Sequence, residues 1–486
     1  MLSSADSLEP RRWVEQVWRR EDLAEPRLYR RLVLIVAMLL TRLTRPTSSL
    51  SRALRRGGQR FWNNEAVNSS LLARRCSEFV LTQVSSLLVV LLLHDSMEVD
   101  LHGRHCPDDA GPLRSSHSKG YLTHNTVVCV PGKGLLGLLC SQVWTRSWLL
   151  KQQNHKQRSA SEKESRKWRV GVRRAALALR SVGSKAVAIH VMDREADDYL
   201  NFTTARRHGD LVIIRATQDR NISEGPGKLW AHVLSQRAHK HQQREVEVTA
   251  NKERREQAKK AGKEALAKFD ARVAKHGTKR KAELQLRYSP VTVHEPQGGQ
   301  GRVAMNAVCV SEVNAPEELE AVEWMLLTTC PVSDEEGAKR VVGWYAARWG
   351  VEEFHKVSKH GLNLEKEVVE DVEAFKREWA VVATVATQLM RWRALAREEA
   401  QQTASEHVDE ETLKALKEAS RFHGLPLPRR VWTLKDVMSR LALLGGYEPR
   451  KGNEPGWLVL WRGWGELERF WATFSFAQAR VAAGDS

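Results

Sequence analysis

Trp344–Lys359, WYAARWGVEEFHKVSK, decides how the rest of the chain is read. Plotted as a helix at about 100° per residue, it puts Tyr345, Arg348, Glu352, His355, Lys356 and Lys359 within one arc of about 100°. Ala347, Val351, Phe354 and Val357 fall on the other side, where they can enter a core. One face then carries an aromatic hydroxyl, four potential cations and a single central carboxylate. Such a face is either a solvated one braced by an i,i+4 ladder, Arg348–Glu352–Lys356, or a metal-binding carboxylate among phosphate-binding cations. The second reading needs partner acids elsewhere in the chain.

Two stretches offer them. Ser85–Asp95, SSLLVVLLLHD, and Lys185–Asp193, KAVAIHVMD, are apolar runs that stop at an aspartate. Both read as strands buried on two faces, each delivering an acid at its C-terminal end, where open α/β sheets bind ligands. Singly, each acid also has a structural use. Asp193 can N-cap a helix starting near Glu195, and Asp95 can open a turn. Together with Glu352 they form a more specific set.

In this order the residues resemble the Asp-Asp-Glu transposases of the insertion-sequence-four family. Tyr345-x-x-Arg348-x-x-x-Glu352-x-x-x-x-x-x-Lys359 follows that family's Tyr-Arg-Glu-Lys signature, and Asp193-Arg194-Glu195-Ala196-Asp197 follows the motif around its second acid. The resemblance implies an α/β fold, a ribonuclease-H-like catalytic core with a β-rich insertion, flanked by all-helical N- and C-terminal domains. It implies Asp95, Asp193 and Glu352 as catalytic residues and as ligands of two Mg²⁺ ions, with Mn²⁺ as a substitute. The cations of the shared helix face, Arg348 and Lys359 especially, with His355 and Lys356, are expected to neutralise DNA phosphates, Tyr345 to hydrogen-bond a phosphate oxygen, and Arg215, at the end of the strand Asp210–Ile214, to join them as a DNA contact. Trp324 matches the position where the family stacks a base flipped out of the transposon end; by itself it is equally a core tryptophan. The implied activity is cut-and-paste transposition, with inverted-repeat ends and target DNA as double-stranded partners and a homodimer formed on DNA.

Composition agrees with a polyanionic partner. The 486 residues carry a net charge of +18, which suits nucleic acid or an anionic membrane surface. Apolar runs such as Leu32–Leu40 and Leu87–Leu93 are too short to span a bilayer. Met1–Trp13, MLSSADSLEPRRW, lacks the apolar region that follows a basic start in a signal peptide. The six cysteines show no CxxC spacing, so neither a zinc site nor a disulfide framework is expected. The expectation is a cytoplasmic, nucleoid-associated bacterial protein with no membrane partner.

The chain then divides as follows. Residues 1–80 read as a helical domain that binds the transposon end. Between Arg27 and Arg60 stand nine arginines and no acid, broken near Pro46–Ser49. Arg27, Arg30 and Arg31 are the expected DNA contacts, because guanidinium groups bind phosphate and guanine bidentately. LAEPRLYRRL resembles the family's N-terminal DNA-binding segment. Residues 81–395 form the expected catalytic domain, with strands Leu87–Asp95, His124–Val130, Gly134–Trp144, Lys185–Asp193, Asp210–Ile214 and Glu323–Thr329. The insertion spans about 216–320, with strands Arg244–Val248, Glu283–Glu295 and Val303–Val310, and its Lys-rich part, about 251–282, reads as an exposed helix or a partly disordered arm. Residues 396–486 are the expected helical dimerisation domain, following an amphipathic helix Phe375–Arg397 and containing the tryptophan-rich WLVLWRGWGELERFW, which is equally a tryptophan-rich core.

Two departures from the family pattern stand out. Ser96-Met97 follow the first acid where relatives often have two threonines, and Gly350 sits inside the signature helix at a cost of about 1 kcal/mol relative to alanine. Two other classes stay open: a catalytically silent, transposase-derived DNA-binding regulator, and a structure-selective nuclease on the same fold.

Overall fold

The computed structural model describes residues 10–42, 52–101, 106–114, 118–147, 164–225, 227–240, 243–366, 368–398 and 410–449, most of 401–408, and 455 and 457–482. The expected break at Pro46–Ser49 lies outside these residues. Four helices come first: α1 (Pro10–Val17), α2 (Pro26–Arg42), α3 (Arg52–Trp62) and α4 (Ser69–Val84). Strands β1 (Val89–Asp100), β2 (Gly111–Pro112), β3 (Lys119–Val130) and β4 (Gly134–Trp144) follow. Then come α5 (Arg166–Ser181), β5 (Val187–Met192), α6 (Tyr199–Arg207), β6 (Leu211–Arg215), α7 (Leu229–Leu234), β7 (His239–Lys240) and β8 (Arg244–Glu247). Helices α8 (Lys252–Lys260) and α9 (Lys263–Lys275) lead to β9 (Lys279–Ala282), β10 (Leu284–His294), β11 (Arg302–Glu312) and β12 (Glu323–Thr328). The rest is helical: α10 (Glu335–Ala346), α11 (Trp349–Lys356), α12 (Val372–Glu398), α13 (Glu410–Phe422), α14 (Leu434–Leu444) and α15 (Trp457–Ala482). The chain is thus a mixed α/β protein with a mixed sheet.

It divides into two compact units, Met1–Lys167 with Leu177–Ala186 and Trp349–Ser486, and Trp168–Ala176 with Val187–Arg348. Residues of all three expected segments occur in the first unit.

In the first unit β3 is the central strand, antiparallel to β1 on one side and to β4 on the other. It carries the pattern of a strand covered on both faces, buried from Gly120 to Cys129. Strand β1 does not stop at Asp95. Its pairing with β3 runs from Leu91 to Asp100, so Asp95 sits inside the strand rather than at its C-terminal end. The physical reason is a change of period. After the apolar run, Met97 and Val99 are still buried while Ser96, Glu98 and Asp100 are half-exposed, and that alternation continues a strand as well as an apolar run does.

Helix α12 crosses this unit and packs on β4 and on α2, α3 and α4. It is not amphipathic as expected: every residue from Arg377 through Met390 is buried. A helix covered on every side belongs in the middle of a core, and the arginine buried there is satisfied. Arg377 donates to the Val67 and Trp62 carbonyls at 2.6 and 2.9 Å. Helices α13, α14 and α15 share a separate core cluster that includes Leu416, Val437, Leu460 and Leu467, with Trp464 and Trp471 packed against it.

In the second unit β5 and β6 are parallel, and β12, β11, β10 and β7 continue the sheet antiparallel beyond β6. The Lys-rich stretch is helical. Strands β8 and β9 form a two-stranded ribbon, and α8 and α9 are the connection between them. On these two helices only Phe269 is buried, and Arg255 on one pairs with Asp270 on the other at 3.0 Å. They carry nine basic residues between them, and Arg255–Asp270 is an exposed pair that joins the two helices at the surface.

Candidate functional site

The stretch Trp344–Lys359 is not one helix. Helix α10 ends at Ala346, a turn at Ala347–Arg348 follows, and α11 runs only from Trp349 to Lys356. Val357–Gly361 then winds as a π-helical turn, a form that recurs at functional sites. The face expected from a continuous 100° repeat therefore does not persist. Tyr345 and His355 are buried, at 6% and 8% exposure, while Lys356 is exposed. Gly350 has a packing reason: a Cβ there would come 3.1 Å from Leu135 Cδ2, with Leu93 of β1 next.

The second unit gathers one group around Tyr345. Asp193 follows β5 and caps the short turn Arg194–Ala196, its Oδ1 accepting from the Glu195 N–H at 2.8 Å. The expected capping role is therefore real. Arg215 ends β6 and donates to the Glu323 carbonyl at 2.8 Å. Arg348 hydrogen-bonds the Tyr345 hydroxyl, and burial pushes that hydroxyl above the usual tyrosine range. Arg348 and Arg215 act on it electrostatically in one direction, and Asp193 in the other. Four residues from three distant parts of the chain thus share one electrostatic neighbourhood. Trp324 is half-buried beside them, its ring 5.2 Å from that of Tyr345 at 67°. Arg244 lies over its face at 5.5 Å, so Trp324 is not a plain core tryptophan.

Asp197 secures the loops behind this group. Its carboxylate accepts from the Thr217 and Gln218 N–H groups at 2.8 and 3.1 Å and from Arg220 Nε at 2.9 Å. That ties the loop after β5 to the loop after β6.

The first unit holds Asp95 and Glu352. Asp95 faces Asn125 of β3 in register, and Asn125 faces Ser141 of β4. Asp95 Oδ1 accepts from the Ser96 N–H at 2.8 Å, and Asp95 Oδ2 stands 3.8 Å from His355 Nδ1. Helix α11, which carries Glu352, packs against β1. His355 points inward to Asn125 rather than out from the expected cationic face. Lys356 lies over the Trp349 ring at 5.2 Å. Lys359 pairs with Glu365 at 2.8 Å, and Glu365 in turn accepts from the Asp100 N–H.

On the reverse face of the same strands, His94 and His124 stack at 5.7 Å. Burial, reinforced by Lys167 and His355, holds His124 well below the usual histidine range. The polar run Thr123–Thr126 inside an otherwise apolar strand was the available sign that β3 borders a polar centre, and its residues were not among those expected.

In the N-terminal region Arg27 and Arg30 are exposed on α2, and Arg27 pairs with Glu25. Arg31 is half-buried and lies where a side chain on Gly57 of α3 would stand.

The carboxylates are hard oxygen donors of the kind Mg²⁺ takes, and each aspartate is oriented by a backbone N–H. Among the described residues, no group of three or more His, Cys, Asp or Glu side chains is gathered that could hold a metal ion by itself. Mg²⁺ usually keeps waters and takes substrate phosphate oxygens alongside one or two carboxylates, and the Asp95, Asp193 and Glu352 side chains are each of that donor type. No helix among the described residues is long and apolar enough to cross a membrane. No known family model matches the chain.

Proposed function

We propose that the protein is a DNA transposase of the Asp-Asp-Glu type, cutting and joining phosphodiesters at transposon ends. The observation that carries this reading is the contact of the Trp324 and Tyr345 rings at 5.2 Å on the sheet where Met192 and Ile214, the residues just before Asp193 and Arg215, pair in register. Clustered guanidinium groups beside a carboxylate suit a phosphodiester that must be held while negative charge develops on it. The chain order also supports the reading: three antiparallel strands β1, β3 and β4, helix α5, then the parallel pair β5 and β6 with α6 between them, follow the order that a ribonuclease-H-like core would need.

Asp95, Asp193 and Glu352 would hold Mg²⁺, which supplies an activated nucleophile and a clamp on the leaving oxygen. The chain's own residues do the rest. Arg215 and Arg348 bind the scissile phosphate and orient the strand. Tyr345, kept as a neutral hydroxyl by burial, presents Arg348 at a set angle. Trp324 offers an aromatic face to a base turned out of the duplex, exchanging Arg244 for the base. Arg27 and Arg30 engage the phosphates of the end. Water first releases a 3′-hydroxyl at the end; that hydroxyl attacks the opposite strand, and after reopening by water it attacks target DNA.

The test is strand cleavage of duplexes carrying the element's ends, in Mg²⁺ or Mn²⁺. Asp95→Ala, Asp193→Ala and Glu352→Ala should each abolish cleavage and leave end binding within a few-fold. Undiminished cleavage by Glu352→Ala would overturn the assignment.

A further inference from the structure

We propose that His355 is a positioning residue for Asp95, held as the Nδ1–H tautomer by a directed chain of hydrogen bonds that starts at the Trp379 indole. The indole N–H can only donate, and Trp379 Nε1 gives its hydrogen to Ser141 Oγ at 3.0 Å. Ser141 has its own hydrogen to place, and the Asn125 side-chain oxygen stands 2.7 Å away, at an ordinary O–H···O separation. That contact turns the Asn125 amide so that its nitrogen faces the other way. Asn125 Nδ2 then has two hydrogens. One goes to Thr123 Oγ1 at 2.9 Å and the other to His355 Nε2 at 3.1 Å. A nitrogen that accepts carries no hydrogen, so neutral His355 keeps its proton on Nδ1. Nδ1 is the ring atom that faces Asp95 Oδ2, 3.8 Å away.

The consequence is electrostatic. The positive end of an N–H dipole is aimed at one Asp95 oxygen while the Ser96 N–H holds the other. The carboxylate is thereby approached from both sides by an N–H. Asn125, Thr123 and His355 are buried, so the orientation is not averaged by water. The four members, Trp379, Ser141, Asn125 and His355, come from α12, β4, β3 and α11, and the whole chain lies within the first unit. Outer partners that orient a ligand in this way are typically worth about 10- to 100-fold in affinity or activity. The orienting role follows from geometry alone; its effect on turnover rests on the reading of Asp95 as a site carboxylate.

The experiment uses the full chain labelled with ¹⁵N-histidine, with His355→Gln to assign the resonance. Two-bond ¹H–¹⁵N correlation above the ordinary imidazole range reports the tautomer directly. The expected result is protonated Nδ1 and bare Nε2 in the unaltered protein. Asn125→Asp replaces the donor by an acceptor and should move the proton to Nε2. In parallel it should lower kcat for cleavage of end DNA by about 10- to 100-fold with KM within about twofold. Trp379→Phe, which removes only the first donor, should give a mixture of tautomers and a smaller loss, and serves if Asn125→Asp does not fold. An Nε2–H tautomer in the unaltered chain, or no change of tautomer in either variant, overturns the proposal. If the unaltered chain cleaves no duplex, the nuclease reading fails while the tautomer result still decides the positioning role.

Discussion

The Arg220 guanidinium binds Asp197 through both Nε and Nη2, at 2.9 and 2.6 Å, and both side chains are buried. The two stand 23 residues apart, and the pair joins the loop that carries Asp193 to the loop that follows Arg215. A buried pair of this kind is hard to break singly, because the remaining charge is left without its partner. Arg220→Ala should therefore cost about 3–5 kcal/mol, read as a fall in the urea midpoint. A loss below about 1 kcal/mol, the range of surface pairs, would show that the two loops are not held by this contact.

Exposed arginines on α2 should carry end affinity. Each phosphate contact contributes about 0.9 to the slope of log affinity against log salt. Replacing Arg27 and Arg30 together should reduce that slope by about one to two. Arg31 is left out because its packing against α3 would confound a loss of binding with a loss of structure. Unchanged affinity and slope on a terminal duplex would remove α2 from the interface.

Two glycines give opposite predictions. At Gly463 a Cβ would overlap the Leu441 carbonyl oxygen, where α14 and α15 cross. Gly463→Ala must push these helices apart, at a cost of about 1–3 kcal/mol or more. At Gly343 on α10 a Cβ meets nothing within 4 Å. Gly343→Ala should therefore stabilise by about 1 kcal/mol, the ordinary helix preference of alanine. Thermal unfolding of the two variants checks both signs.

Pairing of protomers on DNA is testable at Phe476, which is 67% exposed on α15. Deleting the chain from 456 onward would also remove Leu460 and Leu467 from the cluster they share with α13 and α14, so a point change is the better probe. Phe476→Ser should leave the unfolding curve unchanged and prevent a two-protein, two-end complex. Light scattering with end DNA decides: an undiminished complex means that this surface is not the contact.

Burial pushes the Cys76 thiol up to about 12, and those of Cys309 and Cys330 up to about 11, from an ordinary value of 9.0. The folded state thus holds protons that the unfolded state releases. Their contribution is fully present below pH 9.0 and is lost as pH rises through about 11 to about 12. Iodoacetamide at neutral pH should leave these three unmodified in the native protein, as read by mass spectrometry. Rapid alkylation of Cys76 would contradict its burial.

Much of the architecture was legible in the residues because it depends on local period. The strands β4, β5, β10, β11 and β12 fall close to where apolar runs and alternation put them, and the tryptophan-rich end forms the helix its pattern implied. Asp193 was legible twice over, as a strand-end acid and as a cap, and it is in place as the cap. Asp95 was legible as an acid but not in its setting. The end of an apolar run looks the same whether the strand stops or changes to one-sided burial, and only pairing with β3 decides which.

What the residues alone determined is the chemical inventory: three acids, the arginines and lysines near them, a net charge suited to a polyanion, and elements whose period is local. What only the tertiary structure decided is which of those groups face one another. Helix α10 stops at Ala346 and α11 starts at Trp349, and a helix repeat extends only as far as its i→i−4 hydrogen bonds persist. Within one unit Tyr345 is buried near Arg348, Arg215 and Asp193, and within the other His355 faces Asn125. Those partners stand up to 230 residues away in the chain. No local pattern encodes such a pairing, since it is set by strand register and by how closely α11 can approach the sheet over Gly350.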